Sequence, residues 1–464
     1  MSVVNFKITV ADFDDQDFVL LVDEAPQLGL ELSTKGFPID RKLLCEKARP
    51  DLTLALHSKD TALRTAGSGA SVSIETFGTE LFNLLIWNHT ALHESWGHFA
   101  TVSSKPKRLR LALTGKAGVL PWEALCDRQK MNGFLARRIS VVRYSHITPP
   151  IPPMDLHNEP LRMLVVFADP DKNLTSAIEA EKAAIENALA SVVKQKDLYI
   201  DFVAPNKGST LEQIKSRVNQ PGHPYHILHI FAHGDSQGQG QLQFEGKKDG
   251  EPASVKWDEL RHEFEKTLPS LRLIILNACE LAQPNVELVN YTPFSNLAAS
   301  FLNAGAAIVV AMQYPIRTET ASIFTQTFYS QVGPYLFASA QNIEEAVQEA
   351  RHAIARAQNA VEWITPVVFT RMQDEEIFSI PEDRRNFYAK DIQKRETMKK
   401  LSEEARTLFD KGAWVDAAKK VKEILQIDAD EEALQIKQKL LDMAGPMIGA
   451  RDSTGGQIVD ILRD

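Results

Sequence analysis

The sequence has little of several things, and each shortage removes a class of function. It holds three cysteines, Cys45, Cys126 and Cys279, spread over 464 residues. Thiols so few and so far apart make no disulfide framework, and they fit a reducing cytoplasm. No apolar run approaches the roughly 18 residues that a spanning helix needs, so no membrane is expected. Met1 to Lys7 lack the basic and apolar regions of a signal peptide. Neither sign of charge dominates. The formal net charge is −9, with acids and bases mixed along the chain, which argues against nucleic acid as a direct partner. Gly234–Gly240 holds three glycines but neither the six-residue dinucleotide fingerprint nor a Lys-Ser/Thr end, so no nucleotide site and no cofactor are expected. What is present is an apolar fraction of 44%, normal for a chain with a large core. The length predicts two or three domains.

Two stretches organise the rest. One is Tyr225–Gly234, an apolar run ending in His233-Gly234. The other is Leu271–Glu280, ending in Ala278-Cys279. Runs this short, without polar alternation, read as buried strands of a parallel sheet. Chemistry in such sheets sits beyond the carboxyl ends of the strands, so neighbouring strands would bring His233 and Cys279 to one edge. An imidazole beside a thiol takes its proton, stabilises the thiolate and later protonates the leaving amine. Gly234 has no Cβ, so its N–H can approach a substrate carbonyl. Together with the N–H of Cys279 it would form an oxyanion hole.

Rival readings are weaker. His229 and His233 share a face of a strand but lie about 13 Å apart there, too far for one metal, so no metal is expected. His226 and His229 read as solvated or core-satisfied. Cys126 lies in Ala124-Leu125-Cys126-Asp127 with no strand-end glycine or nearby histidine, and reads as a structural thiol. Cys45 and His57 read as ordinary helix-face and surface residues. Trp122 reads as core packing.

A strand ending in His-Gly, followed by one ending in Ala-Cys, resembles the caspase-like peptidases. Further stretches narrow the resemblance to the CHAT domain family of bacterial caspase-like proteins, often joined to tetratricopeptide repeats. These are Leu120-Pro121-Trp122-Glu123, Phe134-Leu135-Ala136, Val141-Val142-Arg143, Ala299–Ala306, Phe328-Tyr329 and Ala346–Arg351. The resemblance covers roughly residues 76 to 372. It implies a cytoplasmic cysteine endopeptidase with Cys279 as nucleophile and His233 as general base. It also implies a protein substrate, and a role in bacterial signalling or antiviral defence in which another component switches proteolysis on. The alternative is a catalytically silent scaffold that keeps the fold. The sequence departs from the family after the cysteine, with Glu280-Leu281-Ala282 where Glu-Thr-Gly is frequent. It departs again at Gln313–Glu319, where a Leu-Trp pair is frequent. Several caspase-like relatives place an acid in the pocket for the residue before the cut and select Arg or Lys. Asp169, at the end of the first strand of the catalytic half, and Asp235, next to Gly234, are the candidates here. Each is also an ordinary turn or loop acid.

The expected fold class is α/β, a caspase-like, mostly parallel sheet flanked by helices, with a β-rich start and a helical tail. The regions are 1–75, β-rich; 76–153, a helix, strands and a Pro-rich linker, an upstream segment that in related proteins can be a degenerate copy of the protease fold; 154–385, catalytic; and 386–464, helical. Strands are expected at 161–168, 197–203 and 306–312, with a hairpin at 241–245 and 253–256. Helices are expected at 41–47, 175–194, 209–218, 257–266, 294–303, 318–332 and 343–357. In 175–194, Glu179, Glu181 and Glu186 read as one polar face. Residues 284–293 read as a mobile loop, and the resemblance implies that it lines the cleft. Leu401–Ala418 resembles one tetratricopeptide helix pair, too little for a solenoid. The tail either caps the protease or docks an activating protein partner.

Overall fold

The computed structural model describes residues 3–12, 17–25, 36–40, 67–102, 106–114, 117–118, 120–145, 151–156, 159–205, 209–219, 224–235, 241–246, 251–256, 259–260, 270–280, 301–302, 304–314, 316–335, 340–358, 361–372, 377–379, 382–427, 431–449 and 453–463. The expected helix at 41–47, Cys45, His57, the loop at 284–293, and most of the helices at 257–266 and 294–303 lie outside them. The chain forms two compact units, 1–380 and 381–464.

In the first unit the strands are β1 (Val4–Asp12), β2 (Asp17–Glu24), β3 (Phe37–Asp40), β4 (Lys107–Leu113), β5 (Cys126–Asp127), β6 (Gly133–Phe134), β7 (Ser140–Tyr144), β8 (Met154–Asp155), β9 (Leu161–Phe167), β10 (Leu198–Val203), β11 (Ile227–Asp235), β12 (Gln241–Glu245), β13 (Pro252–Lys256), β14 (Leu273–Glu280), β15 (Ile308–Met312), β16 (Pro366–Thr370) and β17 (Phe378–Ser379). The helices are α1 (Gly67–Phe82), continued by a wider turn at Asn83–Trp87, then α2 (Thr90–Thr101), α3 (Thr175–Lys194), α4 (Leu211–Val218), α5 (Thr318–Tyr335) and α6 (Ala340–Gln358).

One 13-stranded sheet dominates, in the order β10-β9-β11-β14-β15-β16-β7-β4-β1-β2-β3, with the β12–β13 hairpin attached to β11. It contains two parallel blocks. β10, β9, β11, β14 and β15 all run one way. β16, β7, β4 and β1 run together, and β16 meets β15 antiparallel. This is the mostly parallel α/β sheet flanked by helices that the sequence leads one to expect. The N-terminal strand β1 hydrogen-bonds to β4, and β7 to β16, so one sheet joins strands from before residue 75, between 75 and 153, and after 153.

The central strands are mostly apolar because both faces are covered. One face of the first block packs Leu164, Val166, Leu228, Ile230, Ile274, Leu276 and Val309 into a single core. The other face carries α3 and α5, and here an expectation fails. Glu181 is not on the polar face of α3; it is 1% exposed and points into the protein. Its hydrogen-bond partners lie on the sheet and on α5, which a helical-spacing argument confined to α3 does not reveal.

The second unit holds α7 (Glu382–Asp410), α8 (Trp414–Ile427), α9 (Glu431–Gly449) and α10 (Ser453–Leu462). Its own core includes Ala405, Ala417, Val421, Ile424, Leu440 and Ile458. Gly412, at φ +76°, ends α7 in the left-handed conformation that a Cβ disfavours. The fourth helix goes beyond what the sequence pattern leads one to expect. Gly455 and Gly456 lower its intrinsic propensity, and burial of Ile458 and Leu462 overrides that. Among the described residues no helix is long and apolar enough to cross a membrane.

Candidate active site

β11 and β14 are neighbours, and their register pairs His233 with Cys279 and Gly234 with Glu280. Adjacent strands lie about 4.8 Å apart, so the two backbones meet at one place near the carboxyl edge of the sheet. The strands do not stop at these residues, as their apolar runs suggested. β11 continues through Gly234 and Asp235, because both pair with β12 as well, Gly234 with Leu242 and Asp235 with Gln241. β14 continues to Glu280. His233 is 6% exposed. Its Nε2 is buried and has no hydrogen-bond partner among the described residues.

Asp169 follows β9 by two residues. Phe167 pairs with Phe231, so Asp169 lies level with His233 on the same face of the sheet. It is 2% exposed. Its Oδ1 accepts the N–H of Asn173 at 2.8 Å, and its Oδ2 accepts the N–H of Leu174 at 2.9 Å. The Thr175 hydroxyl lies 3.5 Å from Oδ2. The Asp169 N–H donates to Glu245 Oε1 at 3.1 Å. The carboxylate thus caps the turn into α3, and its Oδ1 stands 3.9 Å from His233 Nε2.

Deeper under the same face lies a polar group that sequence reading missed. Glu181 Oε1 accepts the Asn277 amide at 2.8 Å and the Thr325 hydroxyl, and sits 3.3 Å from His229 Nε2. His229 Nδ1 is 2.9 Å from the Tyr329 hydroxyl. Burial, with the Glu181 charge added, holds that phenol well above its ordinary range. Asn277 and His229 precede Cys279 and His233 by two and four residues. Polar residues at even offsets inside apolar strands were the available signal.

His226, Cys126 and Trp122 are buried. His226 Nδ1 accepts the N–H of Arg162 at 3.0 Å, and burial, then Arg162 and Arg272, lower its pKa to about 4. Cys126 is buried, which pushes its thiol up. The Trp122 indole donates to Ala117 O at 2.7 Å, in the core as expected. Glu123 beside it accepts from Arg143 at 3.2 and 2.9 Å and from Gln313 at 2.9 Å. Among the described residues no cluster of three or more His, Cys, Asp or Glu is arranged to hold a metal ion.

The register brings a histidine and a cysteine to neighbouring backbone positions at the carboxyl edge of a parallel block. Comparison with solved structures gives distant likenesses. A chain of the Saccharomyces cerevisiae separase–securin complex is 10% identical over 74% of this chain and 21% of that one, at a TM-score of 0.35. The Drosophila initiator caspase Dronc is 13% identical over 51% of this chain and 94% of that one, at 0.32. The Arg-specific cysteine proteinase gingipain R is 11% identical over 67% and 68%, at 0.35. The present chain spans about a fifth of the separase-complex chain it matches. No curated protein matches its sequence. The CHAT domain profile matches residues 76–395, well over half of the chain. The chain belongs to the CHAT domain family.

Proposed function

We propose that the protein is a caspase-like cysteine endopeptidase. Cys279 is the nucleophile, and His233 takes its proton and then delivers it to the leaving amine. The N–H groups of Gly234 and Cys279 meet the developing oxyanion. The observation that carries this reading is the register pair His233–Cys279 on adjacent parallel strands. A basic residue before the cut is favoured by the acids at this edge, Asp169 and Asp235. The Asp169 carboxylate already accepts the N–H groups of Asn173 and Leu174, which shifts the weight toward Asp235. The setting is bacterial signalling or defence in the cytoplasm, with the C-terminal helices docking an activating protein. The test is a proteome-wide search for new protein termini made by the wild type. The expected result is a set of termini absent with Cys279→Ala. Termini that persist with that variant, or none with any activated preparation, would return the protein to the reading of a silent scaffold.

A further inference from the structure

We infer that Asp169 is a positioning residue for His233, which turns the proposed pair into a three-membered relay. The inference rests on the reading of His233 as the base acting on Cys279.

Three observations carry it. His233 Nε2 is a buried ring nitrogen with no hydrogen-bond partner among the described residues, and a buried polar atom left alone in a native core needs a reason. The Asp169 carboxylate faces this nitrogen, with Oδ1 at 3.9 Å. Asp169 is itself fixed, since the N–H groups of Asn173 and Leu174 hold one oxygen each. Each carboxylate oxygen can accept two hydrogen bonds, so Oδ1, with the Asn173 N–H on it, keeps capacity for a second donor. A distance of 3.9 Å is an electrostatic contact and not a hydrogen bond. Hydrogen bonds of this kind are long in resting enzymes and tighten when substrate arrives.

The consequence is a choice of tautomer. A fixed carboxylate facing Nε2 keeps the ring proton on Nε2, which leaves Nδ1 as the bare nitrogen to take the thiol proton. The carboxylate also stabilises the imidazolium once that proton has moved. The same placement weighs against Asp169 as the reader of substrate, since its oxygens already meet the turn and face the ring.

The test needs no known substrate. Full-length protein is treated with iodoacetamide at neutral pH, and the alkylation rate of each cysteine is followed by peptide mass spectrometry, with buried Cys126 as internal reference. His233→Ala should slow Cys279 alkylation, and Asp169→Asn should slow it by about tenfold, the effect of one pKa unit on the thiolate fraction. Nitrogen NMR of histidine-labelled wild type, with the signal assigned through His233→Gln, should show the Nε2–H tautomer of the neutral ring. An unchanged rate in His233→Ala would overturn the dyad reading and this inference with it. A slow His233→Ala beside an unaffected, folded Asp169→Asn would overturn the inference alone. So would an Nδ1–H tautomer in the wild type, which decides the matter even if Asp169→Asn fails to fold.

Discussion

Two polar clusters are buried in the same sheet, and they differ in how completely they are paired. The first joins Glu123, Arg143 and Gln313 across the seam between the two parallel blocks. Both Glu123 oxygens accept hydrogen bonds, Arg143 adds the carbonyls of Gly118 and Leu120, and Gln313 uses both ends of its amide. Burial pushes the Glu123 carboxyl up, but the charge and hydrogen bonds of Arg143, with Arg351 and Gln313, outweigh it and the net shift is down. The second cluster lies under β9, β11 and β14. There Glu181 Oε2, Asn277 Oδ1 and His233 Nε2 are buried without hydrogen-bond partners among the described residues. A closed cluster is what a structural role requires, because every unmet charge in a core costs several kcal/mol. Open valences near His233 and Cys279 are what a site that has yet to meet its substrate would carry.

The comparison breaks most visibly if the closed cluster is not structural. Glu123→Gln leaves the Arg143 guanidinium buried against a neutral partner, and should cost about 3–5 kcal/mol in urea denaturation. A loss under about 1 kcal/mol would place the cluster among dispensable ion pairs.

Acid should destabilise the fold through His226. Its pKa is about 4 in the folded protein, against 6.5 for an unperturbed histidine side chain, so the unfolded chain takes up the proton first. The stability tied to the neutral ring is fully present above about pH 6.5 and is lost as pH falls to about 4. The loss amounts to on the order of 3 kcal/mol. His226→Asn should flatten the urea midpoint over that window, while its side-chain oxygen still accepts the Arg162 N–H. A midpoint that falls equally in both proteins would remove His226 as the cause.

Gly78 lies against the turn that carries Glu123. A Cβ there would stand 1.9 Å from Ala124 O, a backbone atom. Gly78→Ala should lower stability by about 1–3 kcal/mol through displacement of that turn. Unchanged thermal unfolding would show that the turn is free to shift.

The smallest effect is expected in the open cluster. Glu181→Gln keeps an oxygen for Asn277 and Thr325, and should change stability by under about 1 kcal/mol. A loss as large as that of Glu123→Gln would erase the distinction between the clusters.

The strands and the pairing were legible because they follow from short apolar runs and a period of two. Leu161–Phe167, Ile308–Met312 and the Gln241–Lys256 hairpin fall where the pattern puts them. The neighbouring positions of His233 and Cys279 were legible because each closes such a run. Glu181 was not, since its environment comes from the sheet and from α5, far away in sequence. The roles open to Asp169 were half legible. Asp-Pro marks a turn, but the donors that close around its carboxylate belong to Asn173 and Leu174, and the facing ring to β11. The way one sheet absorbs β1, β2 and β3 depends on long-range pairing that local pattern does not carry.

The central claim is that His233 and Cys279 act as one chemical unit. Once a cleaved protein is identified, its cleavage rate is measured with wild type, Cys279→Ala, His233→Ala and the double variant. Residues of one unit are strongly non-additive. The account predicts that each single variant loses nearly all activity and the double variant loses no more. Two partial losses that multiply, or full cleavage by Cys279→Ala, would contradict it.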